Sequence, residues 1–163
     1  MGRRSMGTTL QAPEHLALER DGGERLRFLG DSTMRLKVSG ADTGGSLAFY
    51  EYVSGPGTKG APQHIHHGHD ETFYVVDGHY DFLIGATTFA AAPGAFVYVP
   101  RGTPHAFSNA GAEQGRIVGT FTPARFADYF RELAELMDGT GAPPDHDAWV
   151  ELYGRYDTTF ADG

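Results

Sequence analysis

The chain has no cysteine among its 163 residues, so neither a disulfide framework nor a thiolate metal site is open to it. Any metal must be held by nitrogen and oxygen. Runs of lysine or arginine are also missing. Thirteen basic against 21 acidic side chains leave a formal charge of -8, and no basic stripe is present to meet a phosphate backbone, so no nucleic-acid partner is expected. Long apolar runs are absent as well, none approaching the roughly 18 residues that span a bilayer, so no membrane association is expected. Arg3 and Arg4 are followed only by scattered apolar residues from Gly7 to Glu14, and without a hydrophobic leader core the expected location is cytoplasmic.

What the chain does have is glycine, 23 residues of it, recurring between short β-branched and aromatic runs. This is the punctuation of an all-β-dominated sandwich or barrel with tight turns. Strands are predicted over Leu26–Leu29, Thr33–Val38, Ser46–Val53, Thr72–Asp77, Tyr80–Ile84, Thr87–Ala91, Ala95–Val99, His105–Ser108 and Arg116–Phe121. Asp77-Gly78 predicts a type I′ hairpin between two of them, and Gly85-Ala86 turns the next. After the last strand the periodicity becomes helical. Thr122 can cap a helix with Pro123 in its first turn, and Phe126, Tyr129, Phe130, Leu133, Leu136 and Met137 fall on one face before an end near Gly139. Asp145 or Asp147 starts a short second helix carrying Trp149, Leu152 and Tyr153. The length suits one domain over 1–163, divided into an N-terminal arm (1–24), a β-barrel (25–122) and C-terminal helices (123–157).

Two stretches carry the chemistry. The first reads His64-Ile65-His66, then four residues, then Glu71, then six, then Gly78. The second reads Gly94, five residues, Pro100-Arg101-Gly102, two residues, His105, three residues, Asn109. In an extended segment alternate side chains share a face, which sets His64 and His66 on one side with Cα atoms about 6.6 Å apart. Two imidazoles so placed can reach one ion, and Glu71 with His105 completes a set of three nitrogens and one carboxylate. Such a set suits one divalent first-row transition metal, whether iron, nickel, cobalt, manganese, copper or zinc, better than calcium or magnesium. His67 and His69 are out of step with this pattern, or lie in a glycine-containing loop, and read as solvated. Arg101 reads as a surface partner for an acid, and Asn109 as a turn residue bonding backbone.

These stretches resemble the two motifs of the cupin superfamily. Gly94, Pro100, Gly102, His105 and Asn109 match the second throughout. His64, His66, Glu71 and Gly78 match the first, in which Thr58 stands where the pattern has its leading glycine. The resemblance implies a single cupin (double-stranded β-helix or jelly-roll) barrel with a C-terminal helical segment and the metal inside. Glu71, Phe73 and Val75 share one strand face, and His105 and Phe107 another, so these apolar neighbours line a common pocket. Phe49 or Tyr50, Phe82 or Ile84, and Phe121 are further candidates, with Phe49 and Phe82 taken as the inward members. The aromatic helix is most simply packed on the barrel, with a lid over the pocket as the sharper alternative.

Within the superfamily the chain is similar to the bacterial quercetin-dioxygenase-like group. That similarity implies a small aromatic or enol substrate, dioxygen as co-substrate, Glu71 as both ligand and catalytic base, and pairing into a homodimer. The alternatives are a non-oxygenase enzyme using its metal as a Lewis acid, namely an isomerase, decarboxylase or polyketide-tailoring enzyme, and a small-molecule-binding sensor.

Overall fold

The computed structural model describes residues 15–161, so most of the expected N-terminal arm lies outside the described residues. Along the chain run β1 (Glu24–Arg27), β2 (Thr33–Val38), a single helical turn α1 (Gly40–Thr43), β3 (Ala48–Ser54), β4 (His64–His66), β5 (Asp70–Asp77), β6 (Tyr80–Ile84), β7 (Thr87–Ala91), β8 (Phe96–Val99), β9 (His105–Asn109) and β10 (Gly115–Thr122). The helices α2 (Ala127–Thr140) and α3 (His146–Arg155) follow, then a closing strand β11 (Thr158–Phe160).

The strands form two antiparallel sheets, one in the order β1-β2-β3-β10-β5-β8 and the other β11-β4-β9-β6-β7. Burial alternates with the pleat. In β3, Ala48, Tyr50, Tyr52 and Ser54 point inward, and in β10 Gly115, Ile117, Gly119 and Phe121 do. One core results, shared by the inner faces of both sheets and by α2 and α3, which contribute Tyr129, Leu133, Trp149, Leu152 and Tyr153. The all-β cupin-type architecture with a C-terminal helical segment is therefore the one observed.

Local turn chemistry misleads at one point. Asp77-Gly78 does not close a hairpin: β5 pairs with β10 and β8, while β6 pairs with β9 and β7, so this turn carries the chain from one sheet to the other. Gly78 has φ 83°, and a Cβ there would lie 2.7 Å from Gly115 Cα, so glycine is required. A turn's need for glycine does not say which strands it joins. Gly85-Ala86 does turn the β6–β7 hairpin.

The first long helix also starts later than its capping signal. Thr122 is still paired with Asp70 in the sheet, so it cannot cap, and α2 opens at Ala127 behind Phe126. The second helix is capped by Asp145, whose carboxylate accepts the Ala148 N–H at 2.9 Å. β11 has no counterpart in the sequence reading, being too short for its alternation to register. It pairs with β4 through Thr158↔His66, Thr159↔Ile65 and Phe160↔His64.

Candidate metal centre

His64 and His66 lie on β4, which borders β9 through His64↔His105, so the second sheet carries all three histidines. Glu71 comes from β5 in the opposite sheet. The four side chains are buried, and one ligand atom from each lies within 4.8 Å of the others. His64 Nε2 is 3.2 Å from His66 Nε2, and Glu71 Oε2 is 3.3 Å from His66 Nε2 and 3.1 Å from His105 Nε2.

The far side of each ring fixes its tautomer. His64 Nδ1 donates to Pro62 O at 2.7 Å and His105 Nδ1 to Thr103 O at 2.9 Å, and a carbonyl can only accept. His66 Nδ1 faces Thr158 Oγ1 at 3.0 Å, and that hydroxyl spends its own proton on Tyr156 O, so it too accepts from the ring. In the neutral state all three Nε2 lone pairs then point to one spot. Two of them, on His64 and His66, meet with no proton between, an arrangement that a cation relieves. Glu71 Oε1 is held separately by the Tyr50 hydroxyl at 2.7 Å, leaving Oε2 for the centre. The donor set fits a transition-metal ion, with outer partners orienting each ligand.

Electrostatics agree with this assignment. Burial, followed by the neighbouring His66 and His105, holds His64 well below the ordinary imidazole range. Burial also lowers His66, outweighing Glu71. At His105 burial is opposed by the hydrogen bond and charge of Glu71, and the net shift is upward. Burial would raise the Glu71 carboxyl, but the neighbouring His105 and His66, which donate to it when protonated, hold it below the usual carboxylate range. The metal-free site thus keeps a carboxylate beside two neutral histidines and one that readily takes a proton.

A family model described as a cupin domain matches residues 51–121, the span that contains every one of these ligands. The chain carries a cupin domain. It is 31% identical over 124 residues to quercetin 2,3-dioxygenase of Bacillus subtilis (strain 168), covering 75% of this chain and 35% of that protein; the cupin thus spans about a third of its relative's length. Among solved structures it resembles an RmlC-like cupin from Shewanella frigidimarina (TM-score 0.59, 22% identity, 73% of this chain and 98% of that one). It also resembles the polyketide cyclase RemF from Streptomyces resistomycificus (TM-score 0.56, 21% identity, 66% and 75%). Both likenesses concern the fold.

Above the cupin's histidines lies a cavity of about 410 Å³, within the size range of small-molecule sites. His64, His66 and Glu71 line one part of it, and Tyr50, Tyr52 and Phe107 form the barrel wall. The other wall is helical, with Phe126, Tyr129, Phe130, Leu133 and Met137 from α2 and the turn before it, and Trp149 from α3. The helices thus cover the pocket as well as pack on the barrel.

Of the pocket residues expected from sequence, Phe107 lines this cavity. Phe73, Val75, Phe82 and Phe121 do not; they are fully buried in the packing beneath it, where Phe73, Phe82 and Phe107 interlock with ring centroids 5.0–6.1 Å apart. Phe49 is a correction of parity. It shares the outer face of β3, half-buried, while Tyr50 points inward and reaches Glu71. Strand alternation set the two apart, but nothing local told which face was the inner one.

His69 is likewise not solvated. It is 1% exposed, its ring 4.1 Å from that of His66 and 4.9 Å from that of Phe126, with no hydrogen-bond partner at either nitrogen. Burial lowers its pKa to about 3. It lies buried because the turn before α2 lays Phe126 over the loop, a contact 57 positions away that spacing alone does not show. His67 is exposed and bonds Thr159. Arg101 forms a two-pronged surface pair with Asp70, whose carboxyl it holds down to about 2. Asn109 donates to the carbonyls of Ser54, Gly55 and Glu113 and accepts from Gly111 N, tying the end of β3 to the β9–β10 loop. No helix among the described residues is long and apolar enough to cross a membrane.

Proposed function

We propose that this cupin is a metal-dependent dioxygenase of the quercetinase type, cleaving a ring of a flavonol or related aromatic enol with dioxygen. The observation that carries the reading is the placement of Glu71. Its Oε1 is anchored by Tyr50, its Oε2 faces His66 and His105, and the residue opens onto a cavity walled by aromatic rings. The 31% identity to a quercetin 2,3-dioxygenase supports the same reading.

His64, His66, Glu71 and His105 would hold the metal, which when bound supplies Lewis acidity and access to redox chemistry. The chain's own part is to bind, orient and move a proton. Glu71, held below the usual carboxylate range, is ionised at neutral pH, and Oε2 accepts the proton of a substrate hydroxyl brought to the histidine end of the cavity. Tyr50 keeps the carboxylate from rotating away. Tyr52, Phe107 and Phe126 offer ring faces and edges to a planar substrate and exclude water from its reacting carbon. The exposed aromatic side chains Tyr74, Phe96 and Tyr98, beside the open edge of β8, support the homodimer expected of a small cupin.

The deciding experiment is dioxygen uptake with a panel of flavonols and other aromatic enols, using protein reconstituted with iron, nickel, cobalt, manganese, copper or zinc. Uptake with a ring-opened product is expected. Turnover without oxygen would assign the Lewis-acid alternative, and binding without turnover the sensor.

A further inference from the structure

One residue of the barrel motif departs from its pattern, and it lines the cavity: Thr58 stands where the first motif has its leading glycine. The backbone permits this because a glycine sits one residue earlier. Gly55-Pro56-Gly57-Thr58 closes through the Thr58 N–H on Gly55 O at 3.3 Å, with proline and glycine at the two central positions that a type II turn favours and Gly57 at φ 66°. Gly57 thus takes the positive φ of the turn. Among the described residues Asp157 is the one non-glycine with a positive φ, so position 58 is free to carry a side chain.

The residues that follow fix where that side chain points. Lys59 bridges Ser108, while the Asn109 N–H donates to Thr58 O at 2.9 Å and the Gly60 N–H to Phe107 O at 3.0 Å, so the segment lies antiparallel against β9. Opposite residues of such a pair share a face. Lys59 goes with Ser108, and Thr58 goes with Asn109 on the face of Phe107, which is the inner one. Thr58 is half-buried; its hydroxyl makes no hydrogen bond among the described residues and is not sealed, unlike that of Ser32 in the same lining.

His64↔His105 marks the histidine end of β9, and Thr58 faces Asn109 four residues further along, about 13 Å away at ~3.3 Å per residue. Phe28, Leu29, Met34, Tyr52 and Phe107 line the same cavity with largely apolar surface. A ligand that reaches from the histidines to Thr58 therefore spans more than one ring, and it meets an open hydroxyl at its far end.

We propose that Thr58 determines specificity at the cavity end remote from the histidines, its hydroxyl hydrogen-bonding a polar substituent on the far ring of an elongated aromatic ligand. The proposal rests on reading the cavity as an aromatic-substrate pocket, and it narrows that class to polycyclic ligands hydroxylated at the end away from the enol. A hydroxyl both donates and accepts, so it suits a ligand phenol in either sense.

The test measures binding by isothermal titration calorimetry to protein reconstituted with zinc and kept under argon, so that affinity is read without turnover. The probes are 3-hydroxyflavone and its 4′-hydroxy and 7-hydroxy derivatives, which place one added hydroxyl at either far end of the same planar frame. One of the two derivatives should bind about three- to tenfold more tightly than the parent, the scale of one neutral hydrogen bond. Thr58→Val, which keeps the shape of the side chain, should abolish that gain and bind the parent as before, and Thr58→Ser should retain it. No gain in the wild-type protein, or a gain that survives in Thr58→Val, overturns the assignment and leaves the pocket reading standing. A gain lost in Tyr52→Phe but kept in Thr58→Val overturns it too, and moves the contact to that phenol. Failure of all three probes to bind overturns pocket and assignment together. A gain that depends on Thr58, without oxygen uptake from any enol, would sink only the dioxygenase reading.

Discussion

Thr158 accepts the Nδ1 proton of His66 at 3.0 Å from a strand 92 positions further along the chain. The segment that follows the two helices therefore completes a histidine that the barrel motif supplies, and it lies outside the span matched to the cupin domain. Thr158→Val keeps the shape and removes the acceptor. Metal affinity should fall about 10- to 100-fold, and Thr158→Ser should restore most of it. Competition with a chromogenic chelator measures this; wild-type affinity in the valine variant would mean that packing alone orients His66.

Glu71 serves two neighbours at once, and they can be separated. Glu71→Gln should retain much of the bound metal while turnover drops by about 100-fold or more, the usual contribution of a positioned base. Full activity of that variant would contradict the base role. Tyr50→Phe leaves Oε1 buried without a donor and should cost about 1–3 kcal/mol in urea unfolding.

Gly119 controls the same pair from β10. A Cβ at this position would collide with the Tyr50 hydroxyl and come within 2.5 Å of Thr72 O, a backbone atom that cannot step aside. Gly119→Ala should therefore destabilise the fold by about 1–3 kcal/mol and displace Tyr50 from Glu71. Gly139→Ala is the control, since a Cβ there meets nothing within 4 Å on α2, and it should stabilise by up to about 1 kcal/mol. Thermal unfolding of the two variants should shift in opposite directions.

Acid should weaken the metal-free protein. The folded pKa values of His64, His66 and His69 lie below the ordinary 6.5, so below that pH the unfolded chain binds more protons; their stabilisation is present above pH 6.5 and is lost as pH falls through the folded values, down to about 3 for His69. His105 is raised and works the other way, its contribution complete below pH 6.5 and lost above it. Glu71 is lowered and adds a loss only below its ordinary 4.5. Between pH 6.5 and 4.5 the three lowered histidines set the slope, each on the order of 1 kcal/mol per pH unit. Urea midpoints at pH 7.5 and 5 test this, and His69→Phe, which suits the surrounding Phe121 and Phe126, should flatten the dependence. Identical wild-type midpoints would refute it.

The sequence by itself determined the candidate ligand set and most of the strands. Histidines two apart on an extended segment share a face whatever surrounds them, and the alternation in β3, β5 and β10 is a local property of the backbone. Glycine and proline spacing placed the turns because the conformations they permit are local too. Only the tertiary structure decided that Tyr50 and not Phe49 points inward, that Asp77-Gly78 crosses between sheets, that His69 is buried under Phe126, and that Thr158 completes His66. Each of these depends on which distant segment arrives on which side of a strand. Long-range packing makes that choice, and no short-range pattern in the chain records it. The same packing places Tyr129 and Trp149 in the wall of the cavity that His64, His66 and Glu71 line, so the barrel motif supplies the candidate ligands and the C-terminal helices shape the space beside them.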